Sequence, residues 1–174
     1  MSKDIFMFRN SIIVFSILCS LTLAGCLPSP YYQKEYAIPK NEWQYSFKPT
    51  FKFEVTDTNS LYKLYFVIRH TEAYPYSNIW LWVYTKKPGD KGFEKTRLEI
   101  PLAEQSGKWL GRGMGAIWEQ RMPISHDGDK LMLRELGTWE IRLEQNMRIN
   151  PLPEVLQVGL RIEKNNISNV QTIE

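Results

Sequence analysis

The sequence predicts an all-β fold, a β-sandwich of about eight antiparallel strands, and three observations carry that expectation. From Glu42 onward, aromatic and β-branched runs alternate with clusters of Gly, Pro, Asn and Asp, the pattern of short strands joined by turns. No sustained helical period appears in that stretch. Tyr62 to Arg69 places Leu64, Phe66 and Ile68 on one face and Lys63, Tyr65, Val67 and Arg69 on the other, as a strand with one face in a core requires.

The amino terminus comes first in chain order and is of another kind. Lys3 and Arg9 precede an apolar stretch from Ser11 to Leu23, which runs into Ala24, Gly25 and Cys26. These are the charged region, apolar region and small-residue cleavage site of a secretory signal. The apolar stretch is 13 residues long, short of the roughly 20 that a membrane-spanning helix needs. Residues 1–25 therefore read as a cleaved signal peptide.

Leu23, Ala24, Gly25 and Cys26 resemble the lipobox of bacterial lipoproteins, which implies signal-peptidase recognition of the first three and a lipid on Cys26. Each buried methylene of such a lipid contributes about 0.8 kcal/mol, so one chain binds marginally and two or three anchor stably. Beyond this covalent lipid no cofactor is expected. The other cysteine, Cys19, lies in the leader, so the mature chain has no thiol pair for a disulfide.

Residues 26–41 follow as a lipidated cysteine and an extended tether. Pro28, Pro30 and Pro39 disfavour helix there, and a polyproline-like chain at about 3.1 Å per residue would hold the domain on the order of 40 Å from the lipid. Residues 42–174 form the expected sandwich. Its strands are read at Thr50 to Thr56, Tyr62 to Arg69, Ile79 to Tyr84, Arg97 to Ile100, Ala116 to Met122, Thr138 to Met147 and Val155 to Ile162. Lys87-Pro88-Gly89-Asp90 and His126-Asp127-Gly128-Asp129 are turns between them. Immunoglobulin-like and jelly-roll topologies both fit this order.

Composition narrows the function. With 43% apolar and 24% charged residues the chain is that of an ordinary folded domain. Its formal charge of +3, reduced to +2 once Lys3, Asp4 and Arg9 leave with the signal, is spread without a basic run. Nucleic acid is accordingly not an expected partner.

Catalytic chemistry is also not expected. The chain has two histidines, His70 and His126, which read as surface imidazoles at strand ends or turns without zinc-site spacing. The segment from His126 to Asp129 lacks the later ligands of an EF-hand. The glycine-rich run Gly107 to Gly115 lacks the Gly-Lys-Ser/Thr ending of a phosphate loop, and its glycines serve turns or close backbone approach. A hydrolase would need a carboxylate pair from Glu119, Asp127, Asp129 and Glu140 at glycosidase spacing.

Trp80, Trp82 and Tyr84 alternate along Ile79 to Tyr84, which is apolar on both faces and reads as a central strand. The expectation is that these rings fill the inter-sheet core, since aromatics carry much of the burial energy of small sandwiches. Exposed rings would instead form a platform for stacking sugars, the basis of an alternative reading as a lipid-anchored carbohydrate-binding module.

Four blocks carry a family resemblance. They are Arg69-His70-Thr71-Glu72-Ala73-Tyr74-Pro75-Tyr76-Ser77-Asn78-Ile79-Trp80-Leu81, Gly107-Lys108-Trp109-Leu110-Gly111, Gly137-Thr138-Trp139-Glu140-Ile141 running into Gln145-Asn146-Met147-Arg148, and Val158-Gly159-Leu160-Arg161-Ile162-Glu163. In this order behind a lipobox, they resemble the GldH gliding motility lipoproteins of the Bacteroidetes. The resemblance implies a noncatalytic accessory or structural lipoprotein of the gliding machinery, associated with type IX secretion, held in the cell envelope. It implies the periplasmic face of the outer membrane, because Leu27-Pro28-Ser29-Pro30 follows the cysteine where surface-exported lipoproteins carry an acidic run.

The family supplies no active-site residues. Partner contact is expected at Tyr74, Tyr76, Asn78, Trp109 and Arg148, since Tyr, Trp and Arg are enriched at interface hot spots. Expected partners are the membrane, through the lipid, and other gliding or type IX secretion proteins, with no small-molecule substrate.

Overall fold

The computed structural model describes residues 29–124 and 133–165. Leu23, Ala24, Gly25 and Cys26 lie outside them, as do His126, Asp127 and Asp129. The described elements are almost all strands: β1 (Tyr32–Ala37), a single 3₁₀ turn (Pro39–Asn41), β2 (Glu42–Trp43), β3 (Thr50–Val55), β4 (Leu61–Thr71), β5 (Asn78–Lys86), β6 (Glu94–Pro101), β7 (Arg112–Met114), β8 (Ile117–Pro123), β9 (Gly137–Gln145), β10 (Leu152–Pro153) and β11 (Val155–Asn165).

Two main sheets form, in the orders β1-β11-β4-β8-β7 and β3-β9-β5-β6, with β2 and β10 as a small separate pair. All pairings between these strands are antiparallel. The sandwich arises because each long strand alternates. Phe51, Phe53 and Val55 of β3, Ile79, Leu81 and Val83 of β5, and Trp139, Ile141 and Leu143 of β9 point inward from one sheet. They meet Leu64, Phe66 and Ile68 of β4 and Val158, Leu160 and Ile162 of β11 in a single core.

The extended-tether expectation for residues 26–41 is corrected by β1. Tyr32 pairs with Ile162 and Ala37 with Gln157, and Tyr32 and Tyr36 reach across to Phe53 and Phe51 of the opposite sheet at 5.6 and 5.3 Å. Pro30 and Pro39 flank this strand and none interrupts it, so the folded unit begins near Tyr31 rather than at Glu42. Close approach makes room for it. A Cβ on Gly159 would lie 2.5 Å from Glu35 Cγ and 2.8 Å from the Lys34 carbonyl.

Register gives the sandwich two distinguishable ends. Tyr32, Ile162 and Leu64 are level, and Ala37, Gln157 and Arg69 are level. The chain therefore enters at the end carrying Leu64, Lys87 and Gly137. The far end carries Thr71, Asn78, the β7–β8 tip and the loop after Gln145.

Candidate functional site

At the far end β4 closes on His70, which has no exposed surface. The expectation of a surface imidazole is corrected: β4 is alternating, and position 70 is in phase with Leu64, Phe66 and Ile68. Its Nδ1 lies 2.8 Å from the Thr71 carbonyl, which can only accept, so that nitrogen holds the proton. Nε2 then accepts from the Gln120 amide at 3.2 Å. The same amide nitrogen donates to the Leu102 carbonyl at 2.8 Å. Burial lowers the His70 pKa and so favours the neutral ring.

Three of the expected contact residues gather on this imidazole. Trp109 stands 4.6 Å from the His70 ring, Tyr74 stands 5.2 Å from it, and Tyr76 packs edge-on against Tyr74 at 5.9 Å. Tyr74 is buried and donates to the Asn78 carbonyl at 3.0 Å; burial pushes its phenol well above the usual range. The Asn78 side chain donates to Glu99 at 2.6 Å. Arg148 is exposed at the same end, in the loop after β9, and no contact among the described residues joins it to the cluster. Tyr74 is thus a structural residue of this end, while Tyr76, Trp109 and Asn78 are partly open.

Residues that the pattern did not single out give this end its surface. Met114 is 84% and Ile117 43% exposed at the tip of the β7–β8 hairpin, and Tyr45 and Ile149 are also exposed here. Beside the hairpin a groove of 740 Å³ runs along Arg69, Arg112, Met114, Ile117, Glu119 and Gln157. Partial burial works to raise the Glu119 pKa, but Arg69 at 2.6 Å and Arg121 at 3.2 Å outweigh it and hold the carboxylate charged. The available signal was an apolar residue set among Gly111, Gly113 and Gly115, where a hairpin tip rather than a core is built.

The expectation that Trp80, Trp82 and Tyr84 fill the core is corrected as well. Ile79, Leu81 and Val83 take the inward positions of β5, so the three rings lie half-buried on the outer face. Neighbouring strand β6 covers them with cations: Arg97 lies 4.1 Å over Trp80, and Lys95 lies 3.9 Å over Trp82. Such contacts each contribute about 0.5–1 kcal/mol at exposed positions. Tyr84 donates to Glu144, which also pairs with Lys48 at 3.0 Å.

Glu119 and Glu140 lie on different sheets, Glu119 with its arginines and Glu140 with Lys52 and Lys86. They do not converge as an acid–base pair. Among the described residues, no three His, Cys, Asp or Glu side chains gather to hold a metal, and no helix is long and apolar enough to cross a membrane.

Comparison with known proteins places these features in a family. The gliding motility lipoprotein GldH homolog of Christiangramia forsetii is 29% identical over 168 residues, covering 92% of this chain and 95% of that protein. The gliding motility lipoprotein GldH of Flavobacterium johnsoniae is 26% identical over 156 residues, covering 85% and 93%. A crystal structure of CBM28, a carbohydrate-binding module specific for non-crystalline cellulose, aligns over 77% of this chain and 74% of its own at 10% identity and a TM-score of 0.37, too loose to carry fold or ligand. The family model for the GldH lipoprotein matches residues 30–162, from just before β1 into β11, and the chain belongs to that family.

Proposed function

We propose that this chain is a lipoprotein of the gliding machinery, anchored by Cys26 in the outer membrane and facing the periplasm, where it acts as a noncatalytic accessory of the apparatus associated with type IX secretion. The family match over residues 30–162 carries this reading. The lipobox at Leu23 to Cys26 supports the anchor. The far end of the sandwich supports an interaction role, since exposed Met114 and Ile117 stand away from the end at which the tethered chain enters. Large exposed apolar residues grouped at one end of a domain mark contact sites.

Affinity purification from native membranes tests the reading, with a Cys26→Ala form as control. Motility or type IX secretion proteins recovered only with the lipidated form support it. Their absence from both preparations overturns the accessory role.

A second reading, a lipid-anchored module that stacks sugars, places the sugars on the outer-face rings and requires Arg97 and Lys95 to leave the faces of Trp80 and Trp82 that they cover. Retention on polysaccharide beads that is lost in a Trp80→Ala, Trp82→Ala double variant is its test.

A further inference from the structure

Between the two sheets, at the end where the chain enters, the core leaves open an apolar cleft of 430 Å³. Leu64, Val83, Leu98, Leu133, Trp139 and Ile141 form its walls. These are core residues, yet Val83 and Leu98 each keep 8% exposure, whereas Leu81 further along β5 keeps none. The space opens to solvent at its rim, so it is an invagination of the surface that reaches core side chains rather than an interior packing void. Its volume and apolar lining match those of a small-molecule site.

The rim has a different chemistry. Lys87, Arg134, Glu94 and Glu135 stand around it, Lys87 lies 4.0 Å from Glu135, and neighbouring Leu136 is 62% exposed. Position supplies the next step. Tyr31 donates to the Glu54 carbonyl, Glu54 pairs with Thr138, and the following residue, Trp139, lines the cleft. An extended chain from Tyr31 back to Cys26 spans at most about 18 Å, so a lipid on Cys26 sets this rim beside the bilayer.

We propose that the cleft takes up one fatty acyl chain of a bilayer lipid. The apolar walls enclose the tail, and the paired charges of the rim suit a zwitterionic head, with phosphate against Lys87 and Arg134 and ammonium against Glu94 and Glu135. The bilayer as source rests on the proposed lipid anchor, whereas the affinity of the cleft does not.

The test titrates the mature Cys26→Ala protein, free of lipid, with cis-parinaric acid, and repeats the titration in competition with phosphatidylethanolamine vesicles. Saturable uptake at one site is expected, displaced by the vesicles. Thr96→Trp, which places bulk at the mouth without touching the buried core, should weaken uptake at least tenfold, and Leu98→Phe is the second variant should that one fail to fold. Lipidated protein should take up the probe equally well. Absence of saturable uptake, or uptake indifferent to both substitutions, overturns the proposal. Uptake by the Cys26→Ala form that is missing from the lipidated form overturns the bilayer as source and assigns the cleft to the lipid on Cys26. Because the titration needs neither anchor nor machinery, its failure leaves the gliding role standing, and loss of the gliding role leaves the cleft standing.

Discussion

The hydroxyl of Tyr31 donates to the backbone carbonyl of Glu54 at 2.5 Å, while its ring stands edge-on to Tyr62 at 5.2 Å. Tyr36 makes the same kind of bond to the Thr50 carbonyl at 3.0 Å. Two tyrosines at the start of the folded unit thereby cover the outer edge of β3, whose carbonyls lack a neighbouring strand. Tyr31→Phe keeps the ring and removes the bond, and it should cost about 1 kcal/mol. Tyr31→Ala removes both and should cost about 2 kcal/mol or more. Urea unfolding measures the pair, and two unchanged midpoints would mean that β1 stands outside the cooperative unit.

Gly159 supports the same junction from the opposite strand. A methyl group there meets Glu35 Cγ, which can move, and the Lys34 carbonyl, which moves only with the backbone of β1. Gly159→Ala should destabilise by about 1–3 kcal/mol, as overpacking does. Hydrogen exchange should locate the change at residues 32–37, with the centre of β4 still protected. A uniform rise in exchange across both sheets would contradict this local account.

Why the tether was misread follows from these residues. A window from Leu27 to Asn41 counts three prolines, yet they flank a proline-free stretch, Tyr31 to Ile38. The long strands were legible because β4 from Tyr62 to Ile68 and β9 from Trp139 to Leu143 place an apolar residue at every second position, with Val67 buried on the other face of β4 as well. In β5 both rows are apolar, so the strand was visible but not which row it turns inward. Either row, Ile79-Leu81-Val83 or Trp80-Trp82-Tyr84, is apolar enough for a core, and the choice depends on which row finds Arg97 and Lys95 on neighbouring strand β6. That pairing is tertiary, beyond the reach of local pattern.

The two rows of β5 should respond differently to truncation. Leu81 is fully buried, and Leu81→Ala should cost about 2–5 kcal/mol. Trp82 is half-buried beneath Lys95, and Trp82→Ala should cost about 1–2 kcal/mol despite the greater volume removed. Thermal melts in parallel give the order, and a Trp82 loss exceeding that of Leu81 would return the indoles to the core.

The cluster around His70 makes stability depend on pH. Burial lowers the folded-state pKa below the ordinary 6.5, so between those two values the unfolded chain binds the additional proton. This contribution is complete above pH 6.5 and is lost as pH falls through the folded value. The melting temperature should therefore drop between pH 7 and pH 5. His70→Phe keeps an aromatic ring against Trp109 and Tyr74 but cannot titrate. Its melting temperature should change less over the same range, and equal slopes for both proteins would show that His70 does not carry the effect.

Met114 and Ile117 separate stability from interaction. Met114 is 84% exposed at the hairpin tip, so Met114→Glu removes almost no buried area and should alter stability by less than about 0.5 kcal/mol. Ile117, 43% exposed, is partly covered, and Ile117→Glu should cost about 1 kcal/mol. The same change places a carboxylate where an apolar partner surface would close, and an unpaired buried charge is costly at an interface. The lipidated Met114→Glu protein should therefore melt like the parent, and the Met114→Glu, Ile117→Glu protein should stay folded with a small loss of stability, yet both should lose the membrane proteins that copurify with the parent. Tyr74→Phe supplies the contrast: it removes a buried hydrogen bond to the Asn78 carbonyl, so it should lower stability by about 1 kcal/mol and retain those partners. Copurification unchanged by the two glutamates would move the contact surface away from the far end, to the outer face of β5 or to the rim of the entry-end cleft.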